Sequence, residues 1–197
     1  MNKGFTLILF ATALLQVGCY SDDDFYNRNV RLRLTDAVSF SEQQEYTVGD
    51  TLVFELKFSR YLEEEGYDTL LDVFETTGSE EFGYRFDMAR FSEFSDSFER
   101  IGINDSNIIG ARVSDDFSSF GSDMAARLDA DRQEYVSKVG VILVETGRFR
   151  VDLDFLELNS GSYYDFDSDT VNISIRHEQS EDNRAAGEFT VIENTGG

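Results

Sequence analysis

The groups able to do chemistry in this chain are few in kind: one cysteine, Cys19, one histidine, His177, and 39 aspartates and glutamates. A lone thiol cannot form a disulfide within its own chain, and it cannot build a zinc or redox site that needs several cysteines. A lone imidazole permits one general base at most. His177 follows the alternating stretch TVNISIR, which reads as a residue at the surface end of a strand. A serine nucleophile needs a strained turn, and no G-x-S-x-G, glycine-rich phosphate loop or H-E-x-x-H occurs. Carboxylate pairs for glycoside hydrolysis are abundant, but separation in sequence does not fix separation in space, so abundance selects none of them.

One acidic cluster has metal-ligand spacing. Asp165, Asp167 and Asp169 in YYDFDSDT repeat the i, i+2, i+4 oxygens that open an EF-hand loop. The sixth position is Thr170 where glycine makes the bend, and the twelfth is Arg176 where a bidentate glutamate is required, so the stretch is not an EF-hand. Two readings stand: a looser calcium site in a loop between strands, where the cation relieves repulsion among three carboxylates, or a solvated acidic loop. Calcium is the one cofactor with any signal. The neighbouring Tyr163 and Tyr164 are the best exposed aromatics for stacking a sugar ring in a chain without tryptophan, against the plainer role of core or rim packing.

The position of Cys19 explains more than its chemistry does. Lys3 supplies a positive charge, and FTLILFATALL, residues 5–15, follows as an apolar run. Eleven residues of helix reach only about 16 Å, against a hydrocarbon core of about 30 Å, so the run suits a signal peptide and not a membrane span. Leu15-Gln16-Val17-Gly18-Cys19 resembles the lipobox of bacterial lipoproteins, with Gly18 as the small residue before the cysteine and Gln16 departing from the usual aliphatic residue. The resemblance implies a diacylglyceryl group on the Cys19 sulfur and removal of residues 1–18. Two or more acyl chains give stable attachment where one is marginal.

Ser21-Asp22-Asp23-Asp24 resembles the serine-then-acidic export tag behind the lipidated cysteine in surface lipoproteins of the Bacteroidetes group. That implies an outer-membrane protein exposed at the cell surface; the plainer reading is a charged linker. Residues 19–29 then form a flexible acidic tether. Asp50-Thr51-Leu52, Asp68-Thr69-Leu70 and Asp169-Thr170-Val171 resemble the Asp-Ser/Thr-aliphatic acceptor of the same group, which implies O-glycosylation at Thr51, Thr69 and Thr170.

The formal charge is −22, and loss of Lys3 with the signal peptide makes it one unit more negative. Such a chain is repelled by phosphate backbones, which disfavours nucleic-acid binding and polybasic membrane docking. With 41% hydrophobic residues and 18 Phe it can still bury a core. Proline is absent, so turns fall to Gly, Asn, Asp and Ser.

Period-two alternation is the dominant pattern along the rest of the chain. Val30, Leu32 and Leu34; Leu52, Phe54, Leu56 and Phe58; Phe82, Tyr84 and Phe86; and Val171, Ile173 and Ile175 each share one strand face, and residues 189–192 make a last short strand. Val139, Val141 and Leu143, a turn at Glu145-Thr146-Gly147, then Phe149, Val151, Leu153 and Phe155 read as a β-hairpin over residues 135–158. Helical spacing is confined to Met88, Phe91, Phe94 and Phe98, with a turn or two expected at Met124–Leu128.

Short strands without β-α alternation predict an all-β antiparallel sandwich, immunoglobulin-like, with little helix: one domain over residues 30–193 and a frayed tail at 194–197. VGDTLVFELKF, residues 48–58, and YVSKVGVILVETGRFRVDL, residues 135–153, resemble patterns in uncharacterised β-rich lipoproteins of the same bacterial group. The expectation is a non-catalytic surface module that binds, adheres or serves an outer-membrane complex, its partner an outer-membrane protein or a glycan. The alternative is a hydrolase using carboxylates or calcium.

Overall fold

The computed structural model describes residues 28–112, 124–153, 156–160 and 171–193. The chain opens with β1 (Arg28–Thr35), turns at Asp36, and continues through β2 (Val38–Phe40), β3 (Glu45–Thr47) and β4 (Thr51–Ser59). A ribbon of β5 (Tyr61–Leu62) and β6 (Leu71–Asp72) leads into helix α1 (Val73–Thr77). Then come β7 (Glu81–Tyr84), β8 (Asp87–Ser92), β9 (Ser97–Ile101), a 3-10 turn at Asp105–Asn107 and β10 (Ile108–Ile109). The chain ends with β11 (Met124–Leu128), β12 (Glu134–Ile142), β13 (Gly147–Asp152), β14 (Glu157–Asn159), β15 (Val171–Glu178), helix α2 (Glu181–Ala186) and β16 (Glu188–Ile192).

These strands make an all-β sandwich of two main sheets. The larger runs β1-β15-β14-β7-β11-β12-β4-β2, with β10 paired to β12, and the smaller runs β3-β16-β13-β8-β9. Pairing is antiparallel except at two margins, where β1 runs parallel to β15 and β3 parallel to β16. At nine and five strands among the described residues, the sheets are larger than the four and three of a constant-type immunoglobulin domain.

Alternation decides which side chains enter the core. Leu52, Phe54, Leu56 and Phe58 of β4 are buried, and the residues between them face outward. Across the ladder, Tyr135, Ser137, Val139 and Val141 of β12 point the same way. Phe58 stacks on Tyr135 with ring centroids 5.0 Å apart, and Phe82 meets Tyr135 edge-on at 5.0 Å. In the smaller sheet Phe149 stacks on Phe189 at 5.8 Å, and Tyr46 meets Phe189 edge-on at 5.5 Å. All of them belong to one contiguous cluster of buried residues. One buried polar pair is satisfied internally: Tyr84 donates to Ser137 over 2.9 Å, while burial pushes its phenol up to about 12.

Three expectations are corrected. Residues 135–158 do not form a hairpin: β12 pairs with β4, β10 and β11 in the larger sheet, whereas β13 pairs with β8 and β16 in the smaller. The turn arches over the core, and both strands alternate because both face that core. The helical spacing of Met88, Phe91, Phe94 and Phe98 is a coincidence of a true hairpin, in which Phe91 pairs with Phe98 across β8 and β9 and Phe94 sits on the tip. Met124–Leu128 is a strand whose first three residues are all buried, with β7 and β12 on either side.

The helices that do form are short and capped. Asp72 accepts from the Glu75 N–H over 2.9 Å and Gly78 closes α1 at φ 65°; Ser180 accepts from the Asn183 N–H over 3.2 Å at α2. Two phenylalanines separate packing from mere hydrophobicity. Phe82→Ala is expected to cost about 3–5 kcal/mol by emptying a fully enclosed site. Phe94 is 100% exposed, and Phe94→Ala should shift stability by no more than about 0.5 kcal/mol. Urea unfolding followed by circular dichroism checks both.

Candidate functional site

The two sheets part where the chain leaves β12 for β13, and a cleft of about 390 Å³ opens there. Met88, Ile101 and Ile103 come from the β8–β9 side, Val141 and Leu143 from the end of β12, and Phe149 from β13. These residues stand at the ends of core-facing rows, so the cleft continues the core outward. Its polar groups are Arg90, Glu145, Asn104 and Asn107. The cleft is half open, with its surface divided between apolar side chains and convergent polar groups, a form that can take a small molecule.

Arg90 is the unusual member. It follows Met88 by two residues, so it lies on the core-facing side of β8, a strand paired on both sides by β9 and β13. Its guanidinium reaches the mouth of the cleft, where it pairs with Glu145 at 3.2 Å, donates to the Thr146 carbonyl over 3.1 Å, and lies 5.8 Å from the Phe149 ring centroid. Asn104 spends its side-chain oxygen on the Ser106 N–H at 3.0 Å, which fixes the 3-10 turn beside the cleft. The lining offers van der Waals contact, a cation and amide groups. It includes no cysteine, histidine, serine or lysine.

The outer face of the smaller sheet carries a different arrangement. Phe91 and Phe98 meet edge-on at 5.4 Å, with Arg148 4.5 Å above Phe91 and Arg150 4.7 Å above Phe98. Glu188 lies 3.9 Å from each of those arginines, and Asp87 lies 3.2 Å from Arg100. Charges here are matched in pairs, which makes a closed mosaic and not a charged patch. A second groove of about 420 Å³ separates Arg31 and Arg33 on β1 from Glu63, Glu64 and Tyr67.

His177 is not a surface residue. It is 1% exposed within β15, on the same face as Ile173 and Ile175. TVNISIR continues its alternation through position 177, so the imidazole falls on the buried parity. Neither ring nitrogen has a hydrogen-bond partner among the described residues. Burial pushes its pKa below the ordinary value; the Asp36 carboxylate and the nearby Leu153 backbone, which falls outside hydrogen-bond geometry, oppose that shift and are outweighed.

Of the residues singled out by sequence, Thr51 is exposed at the start of β4 and Thr69 is exposed in the segment before β6. Cys19, Ser21, Asp22, Asp23 and Asp24 lie outside the described residues, as do Tyr163, Tyr164, Asp165, Asp167, Asp169 and Thr170. Among the described residues no group of three His, Cys, Asp or Glu side chains could hold a metal, and no helix is long and apolar enough to cross a membrane. Sequence reasoning missed Arg90, Asn104 and Asn107. The one signal, Arg90 two residues after Met88, means a core-facing cation only if the stretch is a strand.

No protein-family model matches the chain, and no curated protein matches it at a significant level. The site therefore rests on its own geometry.

The buried imidazole has a measurable consequence. A histidine whose folded pKa is lowered adds stability that is complete above its unfolded value of 6.5 and lost as pH falls from there through the folded value. The lowered carboxyls of Asp36, Asp50, Asp72 and Asp129 act lower, losing their contribution only as pH falls below the ordinary 3.8. Between about pH 7.5 and about pH 5 the urea midpoint of the native protein should fall, and His177→Leu should flatten that slope.

Proposed function

We propose that this chain is an outer-membrane lipoprotein, held through acyl groups on Cys19 and exposed at the cell surface, where it acts as a non-catalytic binding module. The observation that carries this is sequential: the sole cysteine stands directly behind Gly18 at the end of a charged and then apolar leader too short to span a bilayer. From Cys19 the chain enters β1 at Arg28, a stretch that reaches at most about 3.5 Å per residue. The sandwich therefore sits within a few tens of ångströms of the membrane, on a tether, at the margin of its larger sheet.

Two features of the folded part support binding over catalysis. The single imidazole is enclosed by apolar packing and away from any substrate. The cleft between β12 and β13 presents apolar side chains and a paired arginine in place of a nucleophile with its base. The binding role is that of an adhesin or of an accessory component in an outer-membrane assembly, with its ligand taken at the open end of the sandwich.

Attachment is tested by Cys19→Ala, which is expected to abolish acyl labelling and detergent-phase partitioning and to leave the urea midpoint of the sandwich unchanged; unchanged partitioning would refute it. Export is tested separately. Replacing Asp22, Asp23 and Asp24 by Ala should leave labelling normal and shield the domain from protease added to whole cells. Equal cleavage of both forms would reduce the acidic run to a linker.

A further inference from the structure

Arg90 stands where the core-facing row of β8 reaches the cleft mouth, with its side chain 45% exposed. Inward from it the row is apolar on β8 and β13: Met88 and Val151 are buried behind it, and Phe149 lies opposite it in register; outward, the row ends on Ser92. The neighbouring edge strand places Glu99 across from Arg90, but that carboxylate is engaged by the Ser95 hydroxyl at 2.6 Å. Two contacts and a gap hold the guanidinium at the cleft mouth without exhausting it. The Thr146 carbonyl accepts one N–H, the Phe149 ring lies beneath, and Gly147 leaves room, since a Cβ there would come within 3.1 Å of Arg90 Nε. Of five N–H donors, direct bonds use two.

Among the described residues the anion paired with Arg90 is Glu145, and it is poorly committed. Its side chain is 66% exposed and makes a single contact at 3.2 Å, where a carboxylate and a guanidinium can make two parallel bonds. Glu145 therefore stands where a ligand carboxylate would sit, and water can replace its hold at little loss. Below this position the walls are hydrocarbon from Met88, Ile101, Ile103, Val141, Leu143 and Phe149.

We propose that the cleft binds a small monocarboxylate with an apolar tail, its carboxylate docking on Arg90 in place of Glu145 and its tail lying between the two sheets. This deepens the binding role proposed above and rests on it. A cationic amphiphile meets Arg90 with like charge, and a neutral one offers the guanidinium only an uncharged acceptor, so the order of preference is set by charge. Glu145 acts as an internal competitor.

Equilibrium dialysis of labelled hexanoate, hexylamine and hexanol against the full-length protein in lipid nanodiscs, with empty nanodiscs subtracted, tests this. Hexanoate is expected to bind, with at least about tenfold preference over the other two. Arg90→Met, which keeps the apolar stem, should lower hexanoate affinity by about tenfold or more. Glu145→Gln should raise it severalfold, an effect that damage to the fold would not produce. Ile103→Trp, which fills the cleft, should abolish binding. No hexanoate binding, equal binding of hexylamine or hexanol, or unchanged affinity in Arg90→Met or Glu145→Gln would overturn the proposal. Acyl content recorded by mass spectrometry on the same samples keeps the two readings apart: binding without acylation would refute the anchor alone, and acylation without binding would refute the ligand alone.

Discussion

The ladder between β4 and β12 is the constraint on which the rest of the sandwich depends. It runs in unbroken register from Thr51 against Ile142 to Ser59 against Glu134. Slipping it by one residue would turn Leu52, Phe54, Leu56 and Phe58 out to solvent, so burial and pairing enforce each other. Both ends are pinned. At one end the Gly49 N–H bonds the Leu143 carbonyl over 2.8 Å and the Leu143 N–H bonds the Asp50 carbonyl over 2.9 Å. Those bonds set where the chain departs for the smaller sheet, and with it the position of Val141 and Leu143 in the cleft wall. At the other end the Arg60 N–H bonds the Gln133 carbonyl over 2.8 Å, and its guanidinium forks onto Asp72 with two bonds of 2.6 Å.

An acidic chain without proline has to make its turns and guard its edges with what it has, and the carboxylates take part. Asp50 accepts from the Thr47 N–H at 2.7 Å and the Thr47 hydroxyl at 2.8 Å, and Asp129 accepts from the Gln133 N–H at 2.8 Å. Bonds of this kind to backbone N–H groups hold both carboxyls below their usual range. Asp36 and Asp96 adopt positive φ, which short polar side chains tolerate, and so take turn positions that glycine would otherwise fill. Along β1, which has one partner strand among the described residues, the exposed Arg31 and Arg33 discourage pairing with another chain.

His177 shows how such a fold tolerates a local cost. An imidazole buried with no hydrogen-bond partner among the described residues loses its hydration without a bond from them in return. It stays because the parallel register of β1 on β15, which pairs His177 with Leu34, is set by the buried residues around it. The cost is lowest while the ring is neutral, which ties the protein's stability to pH above the range where its carboxylates titrate.

The sequence by itself determined the fold class and the faces: alternate residues of β1, β4 and β15 are apolar apart from Arg28 and His177, and that period places Leu32, Phe54 and Ile175 inside whatever their strands pair with. It also held the signals of the two short helices, Asp72 with Gly78 and Ser180 with Asn183, because capping is a local matter of hydrogen bonds within one turn. Only the tertiary structure decided which strands are neighbours. The segment 135–158 alternates alike in a hairpin and in an arch, since either way both strands turn one face to the core, and pairing depends on β4, β8 and β16, distant in sequence. The cleft and the placement of Arg90 follow from that arch. Charge on a core-facing row acquires meaning only when the strand, its partners and the gap between sheets are all in place, and none of those is a property of neighbouring residues.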